Sequence, residues 1–189
     1  GFSLLVPQEE LSRHTASLRQ EGFPAYELRP PGRRDPYTSI IYLEPFTGRN
    51  LRAFGYDMYS EPVRRAAMEK ARDSGRAALA AKVVLVQETD QAVQAGVLIY
   101  LPVYRPGPAP RTERERRERL HGWVYMPFRM GDLMDGILGE QSRDLATRIF
   151  DGAAPRAEGL LFDSAAGAQA SAAPRFVSTQ ARLPFLRFV

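Results

Sequence analysis

The side chains best suited to touch a small molecule in this chain are aromatic and aliphatic, with one acid among them. Tyr42, Phe54, Tyr56, Val84, Val86, Tyr100 and Tyr104 fall on stretches that read as β-strands. Packed together they would wall a concave apolar pocket, the usual small-molecule site when one or two polar groups fix orientation. Asp57 is the polar candidate, because it follows the stretch 51–56 and stands just before a helix start. A hydrogen bond to such a charged group is worth about 1.5–3 kcal/mol, enough to orient a ligand. The same position also suits a cap on the loop before the helix, and the sequence leaves both roles open.

Other chemistries find little to work with. Cysteine is absent, which removes thiol nucleophiles, iron–sulfur clusters, cysteine zinc sites and disulfides together. His14 and His121 are the only histidines, too few for a histidine-rich metal centre. His121 opens the stretch Gly122-Trp123 and reads as a partner-bonded structural histidine, with a ligand contact as the alternative. Asp132 and Asp135 stand about one turn apart on a short helix and could share acid–base work. Acids near a helix start are more simply explained by the helix dipole. No phosphate-binding glycine loop, dinucleotide fingerprint, zinc-protease, calcium-loop or nucleophile-elbow motif occurs. No catalytic residue, metal or cofactor is therefore expected.

The chain has 189 residues, of which 44% are hydrophobic and 25% charged, the balance of a globular protein. That length fits one larger domain or two small ones and buries roughly two-thirds of the unfolded surface. The net charge is +4, and only Lys70 and Lys82 among the 26 basic residues are lysine. Nucleic-acid recognition needs a clustered basic face, which this scatter does not provide. The densest run, residues 111–119, sets three glutamates among five arginines and reads as a solvated, salt-bridged connector rather than a phosphate patch. The longest apolar run, 97–104, is broken by Pro102 and falls far short of the about 18 apolar residues of a membrane helix. No signal-peptide pattern is present. The opening glycine and apolar ending read as the limits of a portion of a longer protein.

Pro7, Glu9, Glu10 and Gly22 predict a helix over 7–22, followed by a proline-rich connector through Pro36. Strands are predicted at 38–44 and 51–56 around a turn with Pro45, Gly48 and Asn50. The best helix is 60–75, with Ser60 as N-cap, Pro62 in the first turn and Gly75 as the stop. Strands follow at 77–86 and 96–104. The segment 105–119 is the clearest internal boundary, and beyond it lie a strand at 121–128 and a helix at 130–139. Shorter β candidates occupy 147–150, 159–163, 175–179 and 183–189, around an Ala/Ser/Gly loop at 163–173.

One constellation spans much of this. It comprises Gly55-Tyr56-Asp57, Ser60-Glu61-Pro62 with Arg64, Ala71-Arg72 with Gly75, and Val86-Gln87-Glu88. It continues with Pro102-Val103-Tyr104 and Gly122-Trp123-Val124-Tyr125 leading to Phe128. Over roughly residues 35–140 the chain resembles the CHASE domain, the extracytoplasmic ligand-sensing module of membrane receptors. The resemblance implies an α/β (α+β) fold, with an N-terminal stalk helix followed by two PAS-like subdomains built on antiparallel sheets. Residues 1–34 would be the stalk remnant and connector, 35–110 the membrane-distal ligand-binding subdomain, and 111–189 the membrane-proximal one.

By the same resemblance Asp57 matches the family aspartate that hydrogen-bonds a purine-like ring, and Leu79 the leucine whose backbone meets the ligand in the cytokinin-binding branch. Tyr100 departs from that branch, which has a small threonine there. A smaller or differently shaped ligand is therefore expected. The implied protein is a periplasmic sensor of a bacterial inner-membrane receptor, most naturally a histidine kinase. It would act as a homodimer, held to the membrane by flanking helices and binding no nucleic acid. A diguanylate cyclase or phosphodiesterase output is the alternative. The rival from another class is a periplasmic protein-interaction module whose pocket is filled by its own side chains.

Overall fold

The computed structural model describes residues 1–89, 93–139 and 146–165. Phe2–Val6 forms β1, flanked on one side by β2 (Tyr37–Tyr42) and on the other by β5 (Leu120–Arg129). β4 (Gly96–Tyr104) pairs with β5 from Gly96↔Arg129 to Tyr104↔Leu120, and the two-residue β3 (Ala78–Leu79) lies at the far edge. The sheet order is β2-β1-β5-β4-β3, with every neighbouring pair antiparallel. A second, two-stranded sheet joins β6 (Arg148–Phe150) to β7 (Leu160–Asp163). The strand candidates at 175–179 and 183–189 lie outside the described residues.

Several expectations need correction. Residues 1–34 supply a strand inside the sheet and α1 (Leu11–Gln20), which follows a short 3-10 turn at Gln8–Glu10. α1 is seated by buried Leu18 and by His14, whose Nε2 lies 3.0 Å from Ser39 Oγ on β2 and 3.2 Å from the Tyr26 hydroxyl. The stretch 51–56 is not a strand. A 3-10 turn covers Gly48–Ala53, entered through the left-handed Gly48, and only Tyr56 and Asp57 form isolated bridges, to Arg29 and Ser39. The strand expected over 77–86 shrinks to β3 and a single bridge, Val83↔Gly96. The 110/111 boundary falls in the connection between β4 and β5, two strands of one sheet.

The run at 111–119 is also more ordered than a connector. Glu113–Arg119 forms α3, opened by a reciprocal capping box between Thr112 and Glu115. It docks on α2 (Pro62–Ser74), where Arg117 holds both oxygens of Asp73 at 2.9 and 2.7 Å and Arg116 Nε donates to the Asp73 carbonyl. Hydrogen bonds from Arg117 and Arg72 keep the Asp73 carboxyl well below its usual range.

α2 itself starts one residue later than the sequence suggests. Glu61, not Ser60, is the N-cap and accepts from the backbone of Val63 and Arg64 at 2.9 Å. Gly75, with φ +69°, ends the helix as expected. Ala67, Met68 and Ala71 face the sheet, and the two small alanines bring the helix close enough for Trp123 Nε1 to donate to the Met68 carbonyl at 2.9 Å. Ile40, Leu98, Tyr100, Trp123 and Tyr125 complete this interior. The opposite sheet face packs Leu79 and Val97 against Met130 and Met134 of α4 (Met130–Leu138) and Leu161 of β7.

Gly122 sits where β5 passes β1, and a Cβ there would stand 2.3 Å from the Ser3 carbonyl oxygen. Gly122→Ala should therefore separate the two strands, at a cost of about 1–3 kcal/mol read from urea unfolding. His14 carries a pH dependence. Burial lowers its pKa from the ordinary value, outweighing the opposite pull of Glu21 and Glu10. The unfolded chain then binds a proton at higher pH than the folded one, so stability falls as pH drops below about 6.5. Melting curves between pH 7.5 and 5.5 should show that decline, and a shallower one in His14→Gln.

Candidate functional site

Asp57 lies at the root of the turn that feeds α2, and it is completely buried. Its Oδ1 accepts from Thr38 N at 2.9 Å, Thr38 Oγ1 at 2.9 Å and Tyr59 N at 3.0 Å. Its Oδ2 accepts from Arg34 Nε at 2.6 Å. The carboxylate therefore caps the Met58–Ser60 turn and ties together β2, that turn and the proline-rich segment before β2. Of the two roles the sequence leaves open, capping is the one with geometry on view.

The other candidates divide. Tyr100 is fully buried in the α2-facing interior, its ring 6.4 Å from that of its cross-strand partner Tyr125. Tyr56 is half-buried beneath the guanidinium of Arg64, 5.4 Å from ring centre to Cζ, and its hydroxyl accepts from Arg64 Nη1 at 3.3 Å. Val84 contributes its carbonyl, 2.7 Å from Arg64 Nη2, while its side chain is exposed. Arg64 thus gathers Tyr56 and Val84, and its charge acts on Tyr100.

The rest lie apart. Val84 and Val86 are out of phase with the inward-facing Val83 and Leu85. Tyr42 is 59% exposed at the end of β2. Phe54 joins Phe23, Tyr26 and Phe46 in an aromatic cluster beside a cleft of about 440 Å³. Tyr104 is spent on α2, its hydroxyl donating to the Arg72 carbonyl at 2.9 Å. The Leu79 side chain belongs to the α4 face of the sheet. Its backbone is another matter: Ala80 N donates to Leu98 O, so by antiparallel alternation the amide and carbonyl of Leu79 turn away from β4. His121, expected to be partner-bonded, is exposed with its ring 5.8 Å from Phe2. Asp132 is held by Arg129 and Gln94 in an ion-pair and amide cluster.

One concavity was not among the sequence candidates. A cleft of about 620 Å³ opens between the end of β5, the loop 43–50, residues 85–87 and the first turn of α4. Its size suits a small molecule. Leu43, Leu85 and Tyr125 line it and also belong to the α2-facing interior, so its floor is the outer wall of that interior. Arg49, Asn50 and Gln87 add polar groups. Tyr125 in the floor has a buried hydroxyl without a hydrogen-bond partner, as do Tyr59 and Tyr100 elsewhere in the same interior. Burial pushes all three phenols well above their ordinary pKa, so they stay neutral. Arg64 had a sequence signal: with Ala67, Met68 and Ala71 it follows the i, i+3, i+4, i+7 spacing of a buried stripe. The cleft had none, because its walls come from four separate segments.

The fold and site define a mixed α/β domain with an antiparallel sheet, several helices and a ligand-sized cleft, and no group of metal-binding residues occurs among the described residues. The family model of the CHASE domain matches residues 1–162, and the chain belongs to that family of extracellular sensor domains of signalling receptors. Comparison with curated proteins finds no match. Among the described residues no helix is long and apolar enough to cross a membrane.

Asp57→Ala should leave the Thr38 and Tyr59 amides and the Arg34 guanidinium without their acceptor. The expected loss is about 3 kcal/mol in denaturant unfolding, discounted for the partial exposure of Arg34.

Proposed function

We propose that this chain is the small-molecule-sensing portion of a transmembrane receptor, read out by a histidine kinase. The observation that carries the ligand assignment is the 620 Å³ cleft, whose floor is shared with an interior holding unpartnered hydroxyls. A small molecule there would meet apolar walls at Leu43 and Leu85 and polar groups at Arg49, Asn50 and Gln87. The five-stranded sheet with α2 on one face is the PAS-like, ligand-binding unit in this reading, and the β6–β7 pair begins the membrane-proximal one. The domain lies in the periplasm of a bacterium and works as a homodimer. Binding changes output only if the ligand prefers one arrangement of that dimer to another.

A second reading has an observation behind it. Tyr100, Trp123, Tyr125 and Met68 fill the space between α2 and the sheet with the chain's own side chains. A protein-interaction module with a self-filled pocket would look like this.

A thermal-shift screen against purines, amino acids, small carboxylates and amines separates the two. A ligand at 100 times its dissociation constant stabilises the fold by about 2.7 kcal/mol. The sensor reading expects a hit that Gln87→Trp, which fills the cleft from its rim, removes while leaving the unliganded melting temperature unchanged. A hit of full size in that variant moves the ligand out of the cleft. A flat response across the panel favours the interaction module.

A further inference from the structure

Among the described residues the sheet is fully covered on one face only. Trp123 and Tyr125 on β5 and Tyr100 on β4 are buried on the side of α2. Their strand neighbours Val124 and Leu101 point the other way and are 48% and 47% exposed. Val124 pairs with Leu101 on one side and with Phe2 on the other, and Phe2 pairs with Tyr42. Register partners share a face, so Tyr42, Phe2, Val124 and Leu101 form one row across β2, β1, β5 and β4. One pair further along, Met126 stands 57% exposed opposite Ile99. The cluster with α4 and β7 takes in Val97, Phe128 and Ile99 and leaves the row beyond them open.

No charged residue interrupts this row. Tyr42, Leu101, Val124 and Met126 together expose on the order of 400 Å² of apolar surface, the scale at which a patch marks an interaction site. A stable interface buries about 800 Å² per partner, an apolar core inside a polar rim. With the half-buried Phe2, Leu4 and Val103 on the same face, the row supplies such a core.

Its shape matches a second face of the same kind. The row runs from large to small, with tyrosine and phenylalanine on β2 and β1, then valine and leucine on β5 and β4. A two-fold axis parallel to the strands, between β1 and β5, lays Phe2 over Val124 of the partner subunit and Tyr42 over Leu101 of the partner subunit. Large then meets small along the whole row, and the two sheets keep the even separation of about 10 Å that face-to-face packing needs.

We infer that this face is the dimer interface, closed by a second copy of the chain about that axis. The inference takes the homodimer from the sensor reading above and deepens it by placing the contact. Interface and cleft also share residues, because Val124 and Met126 line the 620 Å³ cleft and stand on the open face. A ligand pressing on either side chain alters the surface that the partner meets, which supplies the differential contact that a shift between dimer arrangements requires.

Sedimentation velocity across the micromolar range reads the oligomeric state of the whole chain, with Val124→Arg and Leu101→Arg in parallel. Both side chains are about half exposed, so each variant should keep the circular dichroism spectrum of the wild type. The expected result is a micromolar dimer that either arginine weakens at least a hundredfold. Size gives a second reading. Val124→Phe sets large on large and should weaken the dimer at least tenfold, and adding Phe2→Val should restore it. A dimer untouched by both arginines, or by Val124→Phe, overturns the inference. A wild-type chain that stays monomeric overturns it as well. If Val124→Arg then unfolds that monomer, the chain's own residues cover the face; if the monomer sediments with phosphatidylglycerol–phosphatidylethanolamine vesicles, a membrane does. A hit in the thermal-shift screen stands in each of these cases, so loss of the interface leaves the sensor reading in place. A flat screen beside an intact, arginine-sensitive dimer removes the sensor reading and keeps the interface.

Discussion

The buried carboxylate of Asp57 is the joint on which the rest of the domain turns. It meets the backbone and hydroxyl of Thr38 on β2, the amide of Tyr59 in the turn before α2, and the guanidinium of Arg34 from the proline-rich segment. Three pieces of chain that otherwise meet through isolated bridges and a few backbone hydrogen bonds are thereby tied by one side chain. A buried acid is tolerable only when its lone pairs are this fully used. The arrangement sets the angle at which the chain enters α2, and so decides which helix residues face the sheet. Arg64, Ala67, Met68 and Ala71 are buried as a result.

From that placement follows a division of polar groups within the domain. Among the described residues the buried acids, Asp57 and Glu88, each accept from two or more donors of the same chain. The hydroxyls of Tyr59, Tyr100 and Tyr125 in the α2-facing interior have no partner. An aromatic ring contributes most of its stabilisation through its buried surface, so a tyrosine can fold well while its hydroxyl goes unused. The packing of the ring offsets the cost of the unused hydroxyl.

Much of this was legible in the residues. The long strands β4 and β5 and the helices α2 and α4 emerge within a residue or two from periodicity, proline and glycine positions. The family was legible too, since its signature residues cover the same elements. What misled was local composition read without its neighbours. The stretch 51–56 has the aliphatic and aromatic content of a strand, but Gly48 and Gly55, both at positive φ, bend it into a turn. The arginine run at 111–119 looks like a solvated connector until Asp73 and the Thr112–Glu115 box make it a docked helix. β1 is only five residues long and owes its existence to pairing with residues about 35 and 120 positions away.

Sequence by itself determined the class of fold, the absence of thiol chemistry, the main helix and the two longest strands, though not that those strands pair, because element type depends on residue type and spacing within one segment. It also marked Asp57, Tyr56 and Tyr100 as residues to watch. Only the tertiary structure decided what each of them does. Whether an acid caps a turn or faces a ligand depends on which distant donors reach it, here Arg34 and Thr38 for Asp57. The cleft has the same origin, since Gly1, Leu43, Leu85 and Tyr125 meet only when four segments far apart in the chain are folded against one another. Residue spacing encodes the shape of one element, and a concave site arises between elements.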